Sequence, residues 1–350
     1  FVNTALGQYS LPANTTGSYN TSVGSDSMAG NTTGSNNTAV GKDALATNTT
    51  ASQNTAVGYQ AGYSNNTGAY VAAFGYQAAY ASTGGYITAI GTRTLESNTT
   101  GQHNVAVGTL EAAYGRPTMQ FNTTGTYNTA MGAGALASNT TSSNNAAFGY
   151  QAGFSNTTAG EITAIGSLAL SSSTGSGNTA IGYYAGKMIT SGTYNTSIGR
   201  YAGGCQTSST GSNNVSVGNG AGTYLTTGSG NTFLGYQAGL SNTTGNYNVG
   251  LGQEALQANT TAVGNVAVGY QSMYANTTGT NNTAMGYQAL SSNTTGNYNT
   301  VFGFSAGTSI TTGEFNTVIG RYAGGASGTA TTGSNNVSIG NCAGYLLTTG

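Results

Sequence analysis

Charge is what this chain has least of. Of its 350 residues only 6 are Lys or Arg and 7 are Asp or Glu, and the formal net charge is −1. A soluble enzyme surface usually carries several times that density, about a quarter of all residues. A binder of nucleic acid or of an anionic membrane surface needs a basic patch, and no run of either sign is present, so no nucleic-acid partner is expected. Histidine occurs once, proline and cysteine twice each, tryptophan not at all. A single imidazole leaves nothing to pair in a catalytic dyad or a His-rich metal centre, and neither a metal nor a cofactor is expected. No stretch approaches the ~18 consecutive apolar residues of a spanning helix, so no membrane span is expected in this segment. The 24 Tyr and 9 Phe also set the chain apart from charge-rich, aromatic-poor disordered tails.

What the chain does have is repetition. The string Asn-Thr-Ala-Val-Gly, or a near variant, recurs from Gly7 to Gly340, and of the 19 intervals between its glycines 14 are 17 residues and two are 16. The unit is almost pure between Asn282 and Tyr298. One repeat builds the whole chain, so residues 1–350 are expected to form a single repeat domain. The residue before each motif glycine is apolar (Val57, Ile181, Val268, Ile319) and the residue two before that is mostly Thr or Val. This is the alternation of a short strand. The reading expects these two positions to point inward and the small residue between them (Ala56, Ala89, Ser197) to face outward toward another backbone. Ala-Leu or Ala-Gly three residues after the motif glycine, as at Ala289-Leu290, supplies a second inward element. Asn-Thr-Thr, usually followed by Gly, reads as the turn because Asn and Gly tolerate left-handed backbone.

Asn, Thr, Gly and β-branched residues at nearly every position argue against a helical repeat. One unit per rung gives an all-β parallel β-solenoid of about twenty rungs, each residue above its counterpart at about 4.8 Å. Stacking accounts for the missing charge, since an ionisable residue at a repeated position would make a ladder of like charges, whereas Asn and Thr ladders can hydrogen-bond along the axis. Cys205 and Cys342 lie eight rungs apart, about 38 Å at that rise. That is far beyond the ~4.4–6.8 Å Cα separation of a disulfide, and both are read as buried small residues.

The motif Thr-Ala-Met-Gly-Tyr-Gln-Ala-Leu, at Thr283 to Leu290, resembles the repeat of trimeric autotransporter adhesin heads. The full unit with its Ser-Asn-Thr-Thr-Gly turn looks like the repeats of bacteriophage tail-fibre and related extracellular fibre proteins. The resemblance implies a left-handed β-roll, assembly as a homotrimer through the small Ala/Ser face, an extracellular location on a cell surface or virion, and a cell-surface glycan or protein receptor. The adhesin-head repeat is usually nearer 14 residues, and the neck, stalk and anchor of that family have no counterpart here. The chain starts without Met and stops inside a unit, so it is expected to be a segment of a longer fibre protein.

The ionisable inventory suggests no enzyme: no two carboxylates are expected to converge as glycoside hydrolysis requires. His103 occupies a slot held by Tyr or Asn in other rungs and is read as an ordinary ladder position. The irregular rungs are the candidate binding sites. The enlarged interval after Gly108 holds Glu111, Tyr114, Arg116 and Phe121, and insertions in solenoids emerge as outside loops. Arg200-Tyr201 and Arg321-Tyr322 each precede another enlarged rung and could take a sugar or a carboxylate, or could cap the bulge. Asn14, Asn31, Asn48, Asn98, Asn122, Asn139, Asn156, Asn242, Asn259, Asn276 and Asn293 fit the N-glycosylation acceptor pattern. The expected function is a non-enzymatic structural or adhesive fibre, with a phage tail-fibre shaft and an ice-binding solenoid as alternatives. Against ice binding, consecutive Thr residues cannot both point outward from one strand.

Overall fold

The computed structural model describes residues 2–110, 115–325 and 330–345. Two compact units, Phe1–Gly177 and Asn178–Gly350, are built alike. The first runs from β1 (Thr4–Leu6) to β10 (Thr163–Ile165), the second from β11 (Thr179–Ile181) to β20 (Val337–Ile339). Each rung contributes one strand of three or four residues. Within a unit each strand pairs in parallel with the next. In β17 (Thr283–Met285) and β18 (Thr300–Phe302), Thr283 faces Thr300, Ala284 faces Val301 and Met285 faces Phe302. The register therefore equals the sequence repeat, and the chain is an all-β parallel β-solenoid.

The strand faces are the reverse of the expected ones. The middle residue is the buried one: Ala39, Ala56, Ala89 and Ala130 in the first unit, and Ala180, Ala267 and Ala284 in the second, are fully buried. The Thr and Val or Ile on either side point outward, with Ile181 37% and Met285 40% exposed. The cause is the narrow bore of so short a rung. Opposite the strand alanine stands the corner side chain, such as Leu45, Leu136 or Leu290, fully buried as expected. An Ala and a Leu fill that gap where a β-branched residue and a Leu would overpack it. Where the strand does carry a large residue inward, the corner position of the same rung is glycine. A Cβ on Gly239 would run into the Phe233 ring, one on Gly307 would press on Val301, and one on Gly324 would press on Val318.

The rest of the bore is polar. Two columns of asparagine run inside each unit and are almost completely buried. In the column preceding the strand, Asn282 Oδ1 accepts from the backbone N–H of Asn299 at 2.9 Å, and Asn299 Nδ2 donates to Gly313 O at 2.9 Å. In the turn column Asn276 Nδ2 donates to Asn259 Oδ1 at 2.9 Å and to the carbonyl of its own turn, Gly279 O, at 3.0 Å. The first unit repeats both patterns, as in Asn37 N to Asn20 Oδ1 at 2.9 Å and Asn48 Nδ2 to Asn31 Oδ1 at 2.7 Å. The amides of both columns thus bond one rung to the next, and those of the turn column also close a turn within their own rung, as at Asn276 and Asn293. In three rungs the turn asparagine gives way to Ile189, Leu225 or Ile310, buried beside corner glycines Gly186, Gly222 and Gly307.

The turn asparagines do not hold the left-handed backbone assigned to them from sequence. That conformation falls at three other places per rung, for example Gln288 (φ 51°), Leu290 (φ 54°) and Tyr298 (φ 56°). Side chains pay for it by packing: Leu290 fills the bore, and the other two positions feed the outer columns described below. The motif glycine is required for a different reason. At Gly286 φ is 140°, and a Cβ would collide with the backbone carbonyl of Gly303 in the next rung.

Candidate functional site

Three kinds of outward column dominate the surface. Aromatic rings on successive rungs stack face to face because the rung repeat of about 4.8 Å places them one above another within stacking distance. Tyr70, Tyr86, His103 and Tyr127 form one such column, with centroids 5.0, 4.6 and 4.9 Å apart. His103 is therefore a ring in a ladder, as read from its slot. Tyr59 stacks on Tyr76 at 5.4 Å, and Tyr270, Tyr287 and Phe304 stack at 5.0 Å. Beside them runs an amide column, in which Gln288 Nε2 donates to Gln271 Oε1 at 2.9 Å and Gln271 Nε2 to Glu254 Oε2 at 2.7 Å. The third column is the outward Val and Ile of the strands, flanked by the strand threonines.

One carboxylate pair escaped the sequence reading. Asp26 and Asp43 each stand two residues after a motif glycine on successive rungs, with φ 57° at both. They are half-buried surface groups at the amide-column position, and Ser25 Oγ donates to Asp26 Oδ2 at 2.8 Å. Among the described residues no group of three or more His, Cys, Asp or Glu could hold a metal ion, and the one ion pair is Arg93 to Glu96 at 2.8 Å.

The enlarged rung after Gly108 brings part of its predicted set together. Arg116 donates to Ser138 Oγ at 2.9 Å, and its guanidinium lies 5.6 Å from the Phe121 ring centroid and 5.3 Å from that of Phe154. Phe154 was missed because it belongs to the rung that follows Gly149, two rungs on. Glu111 and Tyr114 lie outside the described residues. Met119, in the same insertion, drops into the bore as the corner residue of its rung.

Arg200 and Tyr201 prove to be part of a larger cluster. The Arg200 guanidinium is 4.5 Å from the Tyr201 centroid, and Tyr201 meets Tyr183 and Tyr184 edge-on at 5.8 and 5.6 Å. Tyr183 and Tyr184 are 4.2 Å apart, and Lys187 Nζ lies 4.2 Å over Tyr184. The Tyr184 hydroxyl, hydrogen-bonded to Tyr183, holds the Tyr183 phenol above its usual value, with burial a smaller cause. Arg321 and Tyr322 repeat the pattern at 4.8 Å, with Phe304 edge-on to Tyr322 at 5.5 Å. Both enlarged rungs rejoin the solenoid through a single parallel bridge, Ile189 to Ser209 and Ile310 to Thr331.

Both cysteines are free. Cys205 is buried, its Sγ donating to Tyr201 O at 3.0 Å, and burial pushes its thiol up to about 11. Cys342 is exposed, not buried as expected. The glycosylation reading also needs correction. Asn31, Asn48, Asn98, Asn122, Asn139, Asn156, Asn242, Asn259, Asn276 and Asn293 are fully buried in the bore, where a glycan on Nδ2 has no room, and only Asn14, in the first rung, is partly exposed. The acceptor pattern arises because the same Asn-Thr-Thr string builds the turn.

Fold and surface together define a class, the parallel β-solenoid repeat proteins with an asparagine-lined bore. No protein-family description, curated protein or solved structure matches the chain.

Proposed function

We propose that this chain is a non-enzymatic extracellular fibre, structural and adhesive, of the kind its motif resembles in adhesin heads and phage tail fibres, and that it assembles with copies of itself. The observation that carries the reading is the outward strand face. Within each unit it presents Thr and Val or Ile rung after rung in one register, uncharged and partly exposed, as at Thr21 and Val23 in the first unit and at Thr317 and Ile319 in the second. A surface that repeats every rung is matched along its length only by a partner with the same period, and the simplest such partner is another copy. The contact is therefore assigned to this apolar face. The Ala/Ser positions proposed from sequence are spent in each chain's own bore.

Sedimentation equilibrium tests this. The wild type is expected as a defined oligomer, the homotrimer on the family analogy, and Val268→Lys with Ile198→Lys as a folded monomer. A monomeric wild type at micromolar concentration would remove the assembly reading. The same face favours one second reading. The strand Thr alternates with Val or Ile, so both do point outward, and a flat unpartnered Thr/Val array is what an ice-binding solenoid offers to water. Measurable thermal hysteresis would move that reading ahead of the fibre.

A further inference from the structure

We infer that the Tyr183–Tyr184–Lys187–Arg200–Tyr201 cluster binds a carboxylate-bearing sugar, and that Phe304–Arg321–Tyr322 is a smaller copy of the same site. The inference names a ligand class for the adhesive reading and rests on it.

The first argument is charge. Lys187, Arg200 and Arg321 are the only cations of the second unit, and none is in an ion pair among the described residues. The unit's carboxylates are engaged elsewhere: Glu254 accepts from Gln271 and Gln253, and Glu314 from Asn297. In a chain that has nearly eliminated charge, two cations are set against one group of three tyrosines. Each guanidinium lies over a tyrosine ring, and although Arg200 Nη2 also donates to the Tyr201 hydroxyl at 3.5 Å, its remaining N–H groups can meet a carboxylate.

The second argument is ring geometry. Where rings follow the motif glycine on successive rungs, as in Tyr59–Tyr76 and Tyr270–Tyr287–Phe304, they stack nearly parallel and cover one another's faces. Here the next rung supplies Arg200 in place of a ring, and the tyrosines splay to interplanar angles of 49°, 72° and 63°. At the second place Arg321 likewise follows Phe304 in that column, and Tyr322 lies 89° from Phe304. None of these angles is a parallel stack, and Tyr183, 44% exposed, keeps an open face beside the cations. An aromatic face for the C–H side of a pyranose next to a guanidinium and an ammonium is the chemistry that recognises an acidic sugar. The constellation occurs twice, each time at an enlarged rung, which a local accident of packing would not require.

The test is isothermal titration, with saturation-transfer NMR for weak binding, of the whole chain against 3′-sialyllactose, a hyaluronan tetrasaccharide and uncharged lactose. Binding of either acidic sugar at least about tenfold tighter than lactose is expected, weakening with salt as a charge-assisted contact should. Which acidic sugar wins distinguishes a sialic acid from a uronic acid source. Arg200→Gln with Lys187→Gln should lower that affinity about tenfold or more, Arg200→Lys should retain part of it, and Lys42→Gln, at an exposed cation of the first unit, should not change it. Circular dichroism and the melting curve check that each variant folds. Equal binding of lactose and the acidic sugars, no binding of any, or binding unaffected by the double variant would overturn the assignment. Attachment of the intact protein to cells, measured separately, reports on the adhesive reading, so a fibre that adheres but ignores acidic sugars sinks this inference alone.

Discussion

At the scale of single residues, the buried asparagine is the side chain on which this fold turns. Asn282 spans three partners: it accepts from Asn299, donates to Gly296 O at 2.8 Å and touches Asn265 Oδ1 at 3.2 Å. Replacing it by Leu, similar in size, leaves the Asn299 N–H buried without a partner, while the Gly296 carbonyl keeps only its bond from Asn293 Nδ2 at 3.0 Å. An orphaned buried donor costs about 1–3 kcal/mol, so Asn282→Leu should destabilise by roughly that amount, read by denaturant unfolding of the second unit. Amide exchange at Asn299 should rise first. The thiols give a second prediction at this scale. At about pH 8, Cys342 should react with a disulfide reagent in the native protein while Cys205 stays protected until unfolding, because burial disfavours its thiolate. A thiol whose folded value is raised stabilises the fold below its ordinary value of 9.0 and loses that contribution as pH climbs toward about 11. Melting temperature should fall in that window and less steeply in Cys205→Ala.

A rung is the next unit of argument, and its strand and corner positions share one volume. Phe233 stands over Gly239, whereas the common pairing is Ala with Leu, as in Ala284 and Leu290. Gly239→Leu alone should be severely destabilising, since it drives a side chain into the Phe233 ring. Combined with Phe233→Ala it recreates the common rung, and the double variant should recover about 1–3 kcal/mol relative to the sum of the single changes. Urea unfolding of the four proteins measures this coupling. The outward positions behave differently. Ala180→Asp places a carboxylate in the bore and should cost several kcal/mol, on the order of an unpaired buried charge. Its neighbour Ile181→Asp, on the outer face, should change the stability of the isolated chain by only about 0.5 kcal/mol. Similar losses at both sites would contradict the assignment of strand faces.

For the molecule as a whole, near-absence of charge has a consequence of its own. Acid unfolding comes mostly from carboxylates that are paired or hydrogen-bonded in the native state, and this chain has 7 carboxylate side chains in 350 residues. Stability should therefore be nearly flat between about pH 5 and 8 and almost indifferent to salt up to ~1 M. Melting curves across that range check it. Solubility is the counterpart. With a net charge of −1 the chain has little repulsion to keep copies apart, which is consistent with the self-assembly proposed above.

Much of this was legible from the sequence because a solenoid writes its register into its period. The spacing of Gly24, Gly41 and Gly58 fixes which residues stack, and with it the parallel pairing, the His103 ladder slot and the inward corner leucines. What the period could not decide is which way a three-residue strand faces. Thr-Ala-Val alternates equally well with Ala in or Ala out, and hydrophobicity favoured the wrong choice. The bore decided it, because Leu290 and two asparagines already occupy a cross-section that leaves room opposite for little more than a methyl group. The turn asparagines were misjudged for the same reason. Their composition suits a surface turn, but only stacking rungs supply the carbonyl and amide partners that let them be buried. The Arg200 motif was visible in the chain, whereas Tyr183, Tyr184 and Lys187 join it only because the rung before lies directly against it.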